Sequence, residues 1–128
     1  MDTSQIVKYV LAAEFALGGQ ARLTSALTPA INRFVIDKSD GFFQNLSFVP
    51  GRGARQKTHS LGAVMCTAAA LLAIPQHKVS ATFRRATVLL AGSLSTILLV
   101  GESGIGGDVW LPAINILLAG WLIYNQTD

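Results

Sequence analysis

Four long apolar segments constrain the fold of this chain more than any other feature of its sequence. The first, residues 6–27, consists mostly of Leu, Ala and Val, and three more follow a polar stretch at residues 28–58. Charged residues make up only 13% of the 128 residues, about half of the roughly 25% that is usual in soluble domains. Helices of a soluble bundle need a charged outer face, which these segments lack. The sequence therefore predicts an all-α, integral-membrane four-helix bundle.

The predicted helices cover about residues 5–27, 59–74, 84–101 and 109–124 of a single domain. The first is long enough to cross a hydrocarbon core of ~30 Å at 1.5 Å per residue. The other three are short for a membrane span. Their length leaves open the alternative of a buried soluble bundle or an oligomer subunit.

The polar stretch at residues 28–58 mixes aromatic and charged residues and is long for an unstructured loop. We expect a short interfacial segment that caps the end of the bundle. This segment is either a lid over a site or an inert interfacial anchor. Asn45 begins a glycosylation sequon within it, Asn45-Leu46-Ser47, although such triplets also arise by chance.

Small residues and cations indicate how the predicted helices pack and where they end. Gly62, Cys66 and Ala70 recur every four positions in the second helix, which allows a neighbouring helix to approach closely. Lys8 and Arg22 lie near the two ends of the first helix, where we expect their side chains to reach the lipid headgroups.

The glycine-bearing first helix FALGGQARL (residues 15–23), the second helix HSLGAVMCTAAALLAI (residues 59–74) and the closing LPAINILLAGWLIY (residues 111–124) carry a family resemblance. Together with the long first loop, they resemble the DoxX-like family of small four-helix membrane proteins over most of the chain except that loop. The family pattern has an acidic residue in the second helix, where this chain has Cys66 or Thr67. The resemblance implies quinone-linked oxidoreductase partners, membrane accessory factors or less defined roles, and it transfers no catalytic residue.

Glu14 is the first candidate for chemistry, because it lies near the middle of the first apolar segment. An ionised carboxylate at that depth is costly, so Glu14 should be protonated, paired or facing a polar cavity. Arg22 follows about 12 Å further along the helix axis, and Asn115 of the fourth helix is a natural partner. Glu14 either exchanges protons with, or anchors, a lipophilic substrate, or it forms a buried hydrogen bond that holds helices together.

The remaining candidates are weaker. His59, at the junction of the first loop and the second helix, is either a proton shuttle or a surface histidine. Gln20, Arg22 and Cys66 are candidate substrate contacts. No cofactor or metal site is expected, because two histidines without H-x-x-H spacing and one cysteine do not supply a ligand set.

Two classes of function fit these observations. The first is a membrane protein that binds or transforms a lipophilic small molecule inside the bilayer, as an enzyme or as an accessory of a biosynthetic or redox pathway. The second is a membrane assembly factor or chaperone that contacts partner transmembrane helices, or a homo-oligomer. No nucleic-acid partner is expected, because the ten Lys and Arg residues lie mostly between the apolar segments.

The distribution of charge also bears on orientation. Lys78, Arg84 and Arg85 between the second and third helices place that turn in the cytosol, together with both termini. The turn before the fourth helix is acidic, but the long first loop is itself basic and argues for the opposite orientation. The sequence leaves the organelle open.

Overall fold

A computed structural model of the chain describes residues 3–44, 46, 48–75, 78–104, 106 and 109–125, and all regular structure within these ranges is helical. The helices are α1 (Thr3–Leu23), α2 (Pro29–Phe42), α3 (Ala54–Ala73), α4 (Ala81–Gly104) and α5 (Trp110–Asn125). The predicted all-α class is confirmed. The described residues contain a fifth helix, α2, within the stretch predicted to be a loop, and the integral-membrane four-helix bundle stays a prediction.

The helices are arranged as two closely packed pairs with α2 laid against them. α1 packs most extensively against α3, and α4 against α5, while α2 contacts α1, α3 and α4. A single core of buried apolar side chains joins the pairs, and its largest fully buried members are Leu11, Phe15, Leu46, Leu72, Leu122 and Val88.

Helix α2 is the main departure from the sequence prediction, because a short interfacial segment is expected within residues 28–58 and the structure has a helix of 14 residues there. Pro29 stands at the start of α2, where its missing N–H group and fixed φ angle are tolerated. The more sheltered residues recur at helical spacing, namely Asn32, Val35, Ile36, Ser39 and Phe42. Exposed Arg33, Asp37 and Asp40 form a charged outer face, so α2 is an amphipathic helix.

The segment after α2 belongs to the core rather than to a polar loop. Phe42, Phe43, Leu46 and Val49 are all buried in the common apolar cluster. The Phe42 ring lies over Gly101 of α4, where a Cβ atom would come within 2.5 Å of it. Asn45 and Ser47 of the sequon lie outside the described residues.

α3 begins at Ala54 and not at His59 as predicted. The chain turns into it through Gly51, whose φ of 142° is a conformation that favours glycine. The Gln56 side-chain oxygen then accepts a hydrogen bond from the Arg52 backbone N–H at 2.9 Å, which supports the first turn.

The other helix boundaries differ from the prediction by a few residues. α1 ends at Leu23 instead of Leu27, because a separate helix starts at Pro29. α4 begins at Ala81, where the Ser80 hydroxyl accepts a hydrogen bond from the Phe83 N–H at 3.1 Å. α4 also continues to Gly104, and α5 agrees with the prediction to within one residue. As a consequence, Glu102 lies in the last turn of α4 and not in a connecting turn.

The predicted close approach of a helix to the small residues of α3 is confirmed. A Cβ atom at Gly19 of α1 would lie 2.7 Å from Cys66 Sγ and 2.9 Å from Gly62 O, both closer than van der Waals contact permits. α1 and α3 therefore touch backbone to backbone at Gly19 and Gly62.

Lys8 does not reach toward headgroups as expected. Its side chain is only 7% exposed, and its Nζ donates a hydrogen bond to the carbonyl oxygen of Ile74 at 2.9 Å. α3 ends just before Pro75, and the last carbonyl groups of a helix have no intrahelical donor. Lys8 of α1 thus caps the end of α3.

One helix in the described part of the chain, α4, is long and apolar enough to cross a membrane. α5 is also apolar but has only 16 residues. A buried core helix can have the same length and composition, so this observation suggests membrane association in general terms. A multi-pass arrangement with cytosolic termini stays a prediction.

Candidate functional site

A cavity of about 250 Å³ lies among the second half of α1, the end of α4 and the start of α5, with α2 along one side. Every helix contributes to it, and the lining residues are Glu14, Phe15, Gly18, Arg22, Phe34, Lys38, Met65, Leu98, Glu102, Trp110, Leu111, Pro112 and Asn115. We call this space the α1–α5 cavity. It contains Glu14, Arg22 and Asn115, three of the six residues that the sequence singled out.

Glu14 and Asn115 are two polar residues of the α1–α5 cavity whose side chains have unmet hydrogen-bonding capacity. Glu14 and Asn115, which the sequence suggests as partners, both line this cavity, and the Asn115 side chain lies within reach of the Glu14 carboxyl group. Asn115 is only 4% exposed. Nevertheless, Glu14 Oε2 and Asn115 Oδ1 are both buried and have no partner. A buried acceptor without a donor costs about 1–3 kcal/mol, so these two oxygens are available to a donor from outside the chain.

Arg22, Lys38 and Glu102 form a separate charged group in the same cavity. Lys38 Nζ lies 3.6 Å from Glu102 Oε2, within ion-pair distance, and 3.8 Å from the centre of the Phe34 ring. Arg22 Nη1 donates to the carbonyl oxygen of Gly18 at 2.9 Å, and Glu102 acts electrostatically on the guanidinium. The position of Arg22 differs from the expected one near headgroups, because its charge is held in the cavity by these contacts.

Apolar and aromatic side chains make up most of the remaining lining. Phe15, Met65 and Leu98 come from three different helices, and Phe34 and Trp110 add aromatic rings. A mostly apolar cavity with a few convergent polar groups is typical of a small-molecule site. The α1–α5 cavity can therefore hold the apolar part of a ligand against these side chains and a polar group of the same ligand at Glu14 and Asn115.

The other three predicted site residues are not part of the α1–α5 cavity. Gln20 and Cys66 line a shallow groove among alanines on another face of α1 and α3. Gln20 Nε2 also donates to Thr28 Oγ1 at 2.6 Å, which ties the start of α2 to α1. His59 is exposed in the early turns of α3. The structure therefore does not bring Gln20, Cys66 and His59 together with Glu14.

Sequence reasoning missed Lys38, Glu102 and the two aromatic residues Phe34 and Trp110. Lys38 and Phe34 were assigned to a loop, yet their spacing of four residues places them on one side of α2. Glu102 was assigned to a turn, although it directly follows an uninterrupted apolar run. In the sequence, the helical spacing of the charged residues Arg33, Asp37 and Asp40 is the signal from which α2 could have been identified.

No group of three or more His, Cys, Asp or Glu side chains arranged to hold a metal ion is found in the portion of the chain that the structure describes. Comparisons of the chain with known protein families, with curated proteins and with solved structures find no match. The resemblance to the DoxX-like family stays a prediction. The α1–α5 cavity is the feature of the structure that bears on function.

Proposed function

We propose that this chain is an integral membrane protein that binds a lipophilic small molecule in the α1–α5 cavity. The observation that carries the proposal is a largely apolar cavity of about 250 Å³ into which two buried, unpaired oxygen atoms project, Glu14 Oε2 and Asn115 Oδ1. Unpaired buried acceptors are uncommon in folded proteins and call for a specific explanation. A bound ligand with a donor group supplies one.

Apolar side chains on the outside of the helices support a membrane location. Leu117 of α5 is 71% exposed, and Leu89 and Val100 of α4 are also turned outward. Exposed apolar surface of this extent indicates contact with lipid or with another protein. In this arrangement α1, α3, α4 and α5 cross the bilayer, and the amphipathic α2 lies in the interface with its charged face outward.

The proposed orientation places both termini and the α3–α4 turn in the cytosol, as the charges of Lys78, Arg84 and Arg85 favour. The α1–α5 cavity then lies toward the opposite side. The basic first loop argues against this orientation, but Lys38 of that loop is paired with Glu102. The charge of Lys38 therefore contributes less to the case for the opposite orientation.

The role of such a protein is that of an enzyme or an accessory factor in a biosynthetic or redox pathway. Glu14 can accept or donate a proton, and Asn115 can orient a polar group of the ligand. Binding is common to both roles, so the first experiment addresses binding.

The test uses two Leu-to-Trp variants on α5. Leu111 lines the cavity, so Leu111→Trp fills part of it, whereas Leu117→Trp places the same side chain on the outer surface. Each protein is purified in detergent, extracted with organic solvent and analysed by mass spectrometry. We expect one small molecule to be enriched with the original chain and with Leu117→Trp, and to be lost from Leu111→Trp. Equal recovery from both variants, or no enrichment over bulk lipid, contradicts the proposal.

The alternative function is that of a membrane assembly factor or chaperone that contacts a partner transmembrane helix. The observation that favours it is the shallow groove on α1 and α3, which is lined by Ala13, Ala16 and Ala70 and includes Gln20. Gln20 Oε1 is buried there without a hydrogen-bond partner, and polar side chains commonly link membrane helices.

The two functions respond differently to variants in the cavity and in the groove. The assembly role predicts that one defined partner co-purifies with the original chain and with Leu111→Trp, but not with Ala16→Leu, which obstructs the groove. Loss of the small molecule from Leu111→Trp, with no partner affected by Ala16→Leu, favours the binding function instead.

A further inference from the structure

Three buried oxygen atoms of the α1–α5 cavity have no hydrogen-bond partner, namely Glu14 Oε2, Asn115 Oδ1 and Glu102 Oε2. The amide oxygen and the oxygens of an ionised carboxylate are hydrogen-bond acceptors. Glu102 Oε2 has Lys38 Nζ at 3.6 Å, which is an ion-pair contact although it is too long for a hydrogen bond. Glu14 and Asn115 belong to facing helices, α1 and α5. A group placed between them therefore has to donate at least two hydrogen bonds, one to each helix.

The positive charges of the cavity are directed elsewhere. Lys38 is engaged with Glu102 and with the Phe34 ring, and Arg22 donates to Gly18 O while lying in the field of Glu102. Among the polar side chains that line the cavity, the uncharged Asn115 is the neighbour of the Glu14 carboxyl group. A carboxylate in such surroundings lacks a counter-charge, which a cationic ligand would provide.

The aromatic side chains of the cavity are suited to a cation as well as to an apolar body. Phe15, Phe34 and Trp110 all contribute to its lining, and aromatic faces attract ammonium groups, most strongly where water is excluded. The size of the cavity limits the rest of the ligand. A cavity of about 150 Å³ holds benzene, so 250 Å³ accommodates about ten non-hydrogen atoms by the same ratio.

We propose that the ligand class of the α1–α5 cavity is a small lipophilic amine in its protonated form, with the ammonium group between Glu14 and Asn115 and one ring or short chain against the apolar wall. This inference rests on the proposed binding function and narrows it to one chemical class. An ammonium group supplies the two or more donors and the charge that the Glu14–Asn115 pair lacks.

The experiment compares three probes that match in size and differ in their polar group: propylbenzene without a donor, 2-phenylethanol with one, and 2-phenylethylamine as the ammonium ion. Binding is followed through the fluorescence of Trp110, which lines the cavity. The chain has two tryptophans, so Trp121→Phe serves as the background for all proteins. Titrations in dodecyl maltoside micelles are corrected with protein-free micelles at the same pH.

We expect 2-phenylethylamine to bind about tenfold or more tightly than propylbenzene, the factor typical of a charged hydrogen bond. Glu14→Gln keeps the size of the side chain and removes its charge. It should lower the affinity for the amine about tenfold and change that for propylbenzene by less than about twofold. The matched control is Asp37→Asn, which removes a carboxylate on the exposed face of α2 outside the cavity and should leave all three affinities unaltered.

The possible results separate this inference from the function on which it rests. If all three probes bind equally, or if the alcohol binds as tightly as the amine, the amine inference is overturned while the proposed binding function stands. If none of the three binds, both are overturned. If the amine binds tightly but Glu14→Gln has no effect beyond that of Asp37→Asn, the ammonium group is not at Glu14 and the inference fails.

Discussion

Buried hydroxyl groups in this chain satisfy their hydrogen bonds within their own helix. Ser95 Oγ donates to Ala91 O at 2.8 Å, and Thr58 Oγ1 donates to Ala54 O at 2.8 Å. Such bonds to the preceding turn use no group from a neighbouring helix. Asn115 is different, since its side-chain oxygen is buried and unpaired. This contrast is why the α1–α5 cavity, and not the serines and threonines, is the site of interest.

The first prediction concerns Lys8, whose ammonium group caps α3. Lys8→Met keeps an apolar side chain of similar length and removes the hydrogen bond to Ile74 O. We expect the free energy of unfolding to fall by about 1.5–3 kcal/mol, the range for hydrogen bonds to charged groups. Circular dichroism during titration with sodium dodecyl sulfate measures it. The control Lys78→Met removes an exposed lysine, and an equal loss in both variants would show that the cap does not stabilise the fold.

At the residue level the sequence was informative where a polar residue interrupts an apolar run. Glu14 and Asn115 are conspicuous because each interrupts the apolar run of a predicted helix, and in the structure both line the α1–α5 cavity. Lys8 was equally conspicuous, but its burial depends on the end of α3 lying beside it. A tertiary contact between residues 66 positions apart leaves no local signal in the sequence.

The α1–α3 contact shows how small residues determine the spacing of two helices. Gly19 and Gly62 lie so close that a Cβ atom on either would come within 3 Å of the other's carbonyl oxygen. By contrast, Gly120 of α5 has no atom near the position of a Cβ. The two kinds of glycine look alike in the sequence and differ only in their surroundings.

The second prediction follows from this difference. Gly19→Ala should push α1 and α3 apart and lower the free energy of unfolding by about 1–3 kcal/mol, the usual cost of overpacking. Gly120→Ala should be neutral or raise it by about 0.5–1 kcal/mol, since alanine loses less conformational freedom in a helix. The same detergent titration compares them. A destabilising Gly120→Ala together with a neutral Gly19→Ala would contradict the packing described above.

Helix α2 marks the limit of sequence-based prediction at this scale. Strong apolar character identified four of the helices, and their predicted ends differ from those in the structure by up to five residues, the largest shift being the start of α3 at Ala54 and not at residue 59. α2 is only weakly apolar, and the charged residues of its outer face make this part of the sequence resemble a polar loop. Because α2 supplies Phe34 and Lys38, missing it also meant missing one side of the α1–α5 cavity.

For the molecule as a whole, the distribution of apolar surface matters more than the length of any one helix. Many large apolar side chains are exposed, and several are on α4 and α5, including Leu89, Leu117 and Ile123. Such residues are unfavourable in water when they cluster, and favourable against lipid. They support the proposed bilayer location, although among the described residues only α4 meets the length and hydropathy of a span.

The third prediction tests that location. If the chain is integral to the bilayer, it stays in the membrane pellet after extraction with sodium carbonate at high pH and enters the supernatant only with detergent. A peripheral membrane protein of the same expression host, probed on the same blot, should be released by carbonate and serves as the control. Release of the chain by carbonate would contradict the integral-membrane proposal.

The contact of Phe42 with Gly101 has a kinetic consequence. Phe42 fixes the far end of α2, while Phe34 and Lys38 of the same helix line the α1–α5 cavity. Under the proposed binding function, a ligand that enters beside α2 requires this helix to loosen, so its residence time would depend on a contact that the ligand never touches. We expect substitutions at Phe42 or Gly101 to change the rate of ligand exchange, and substitutions at Glu14 or Asn115 to change the affinity.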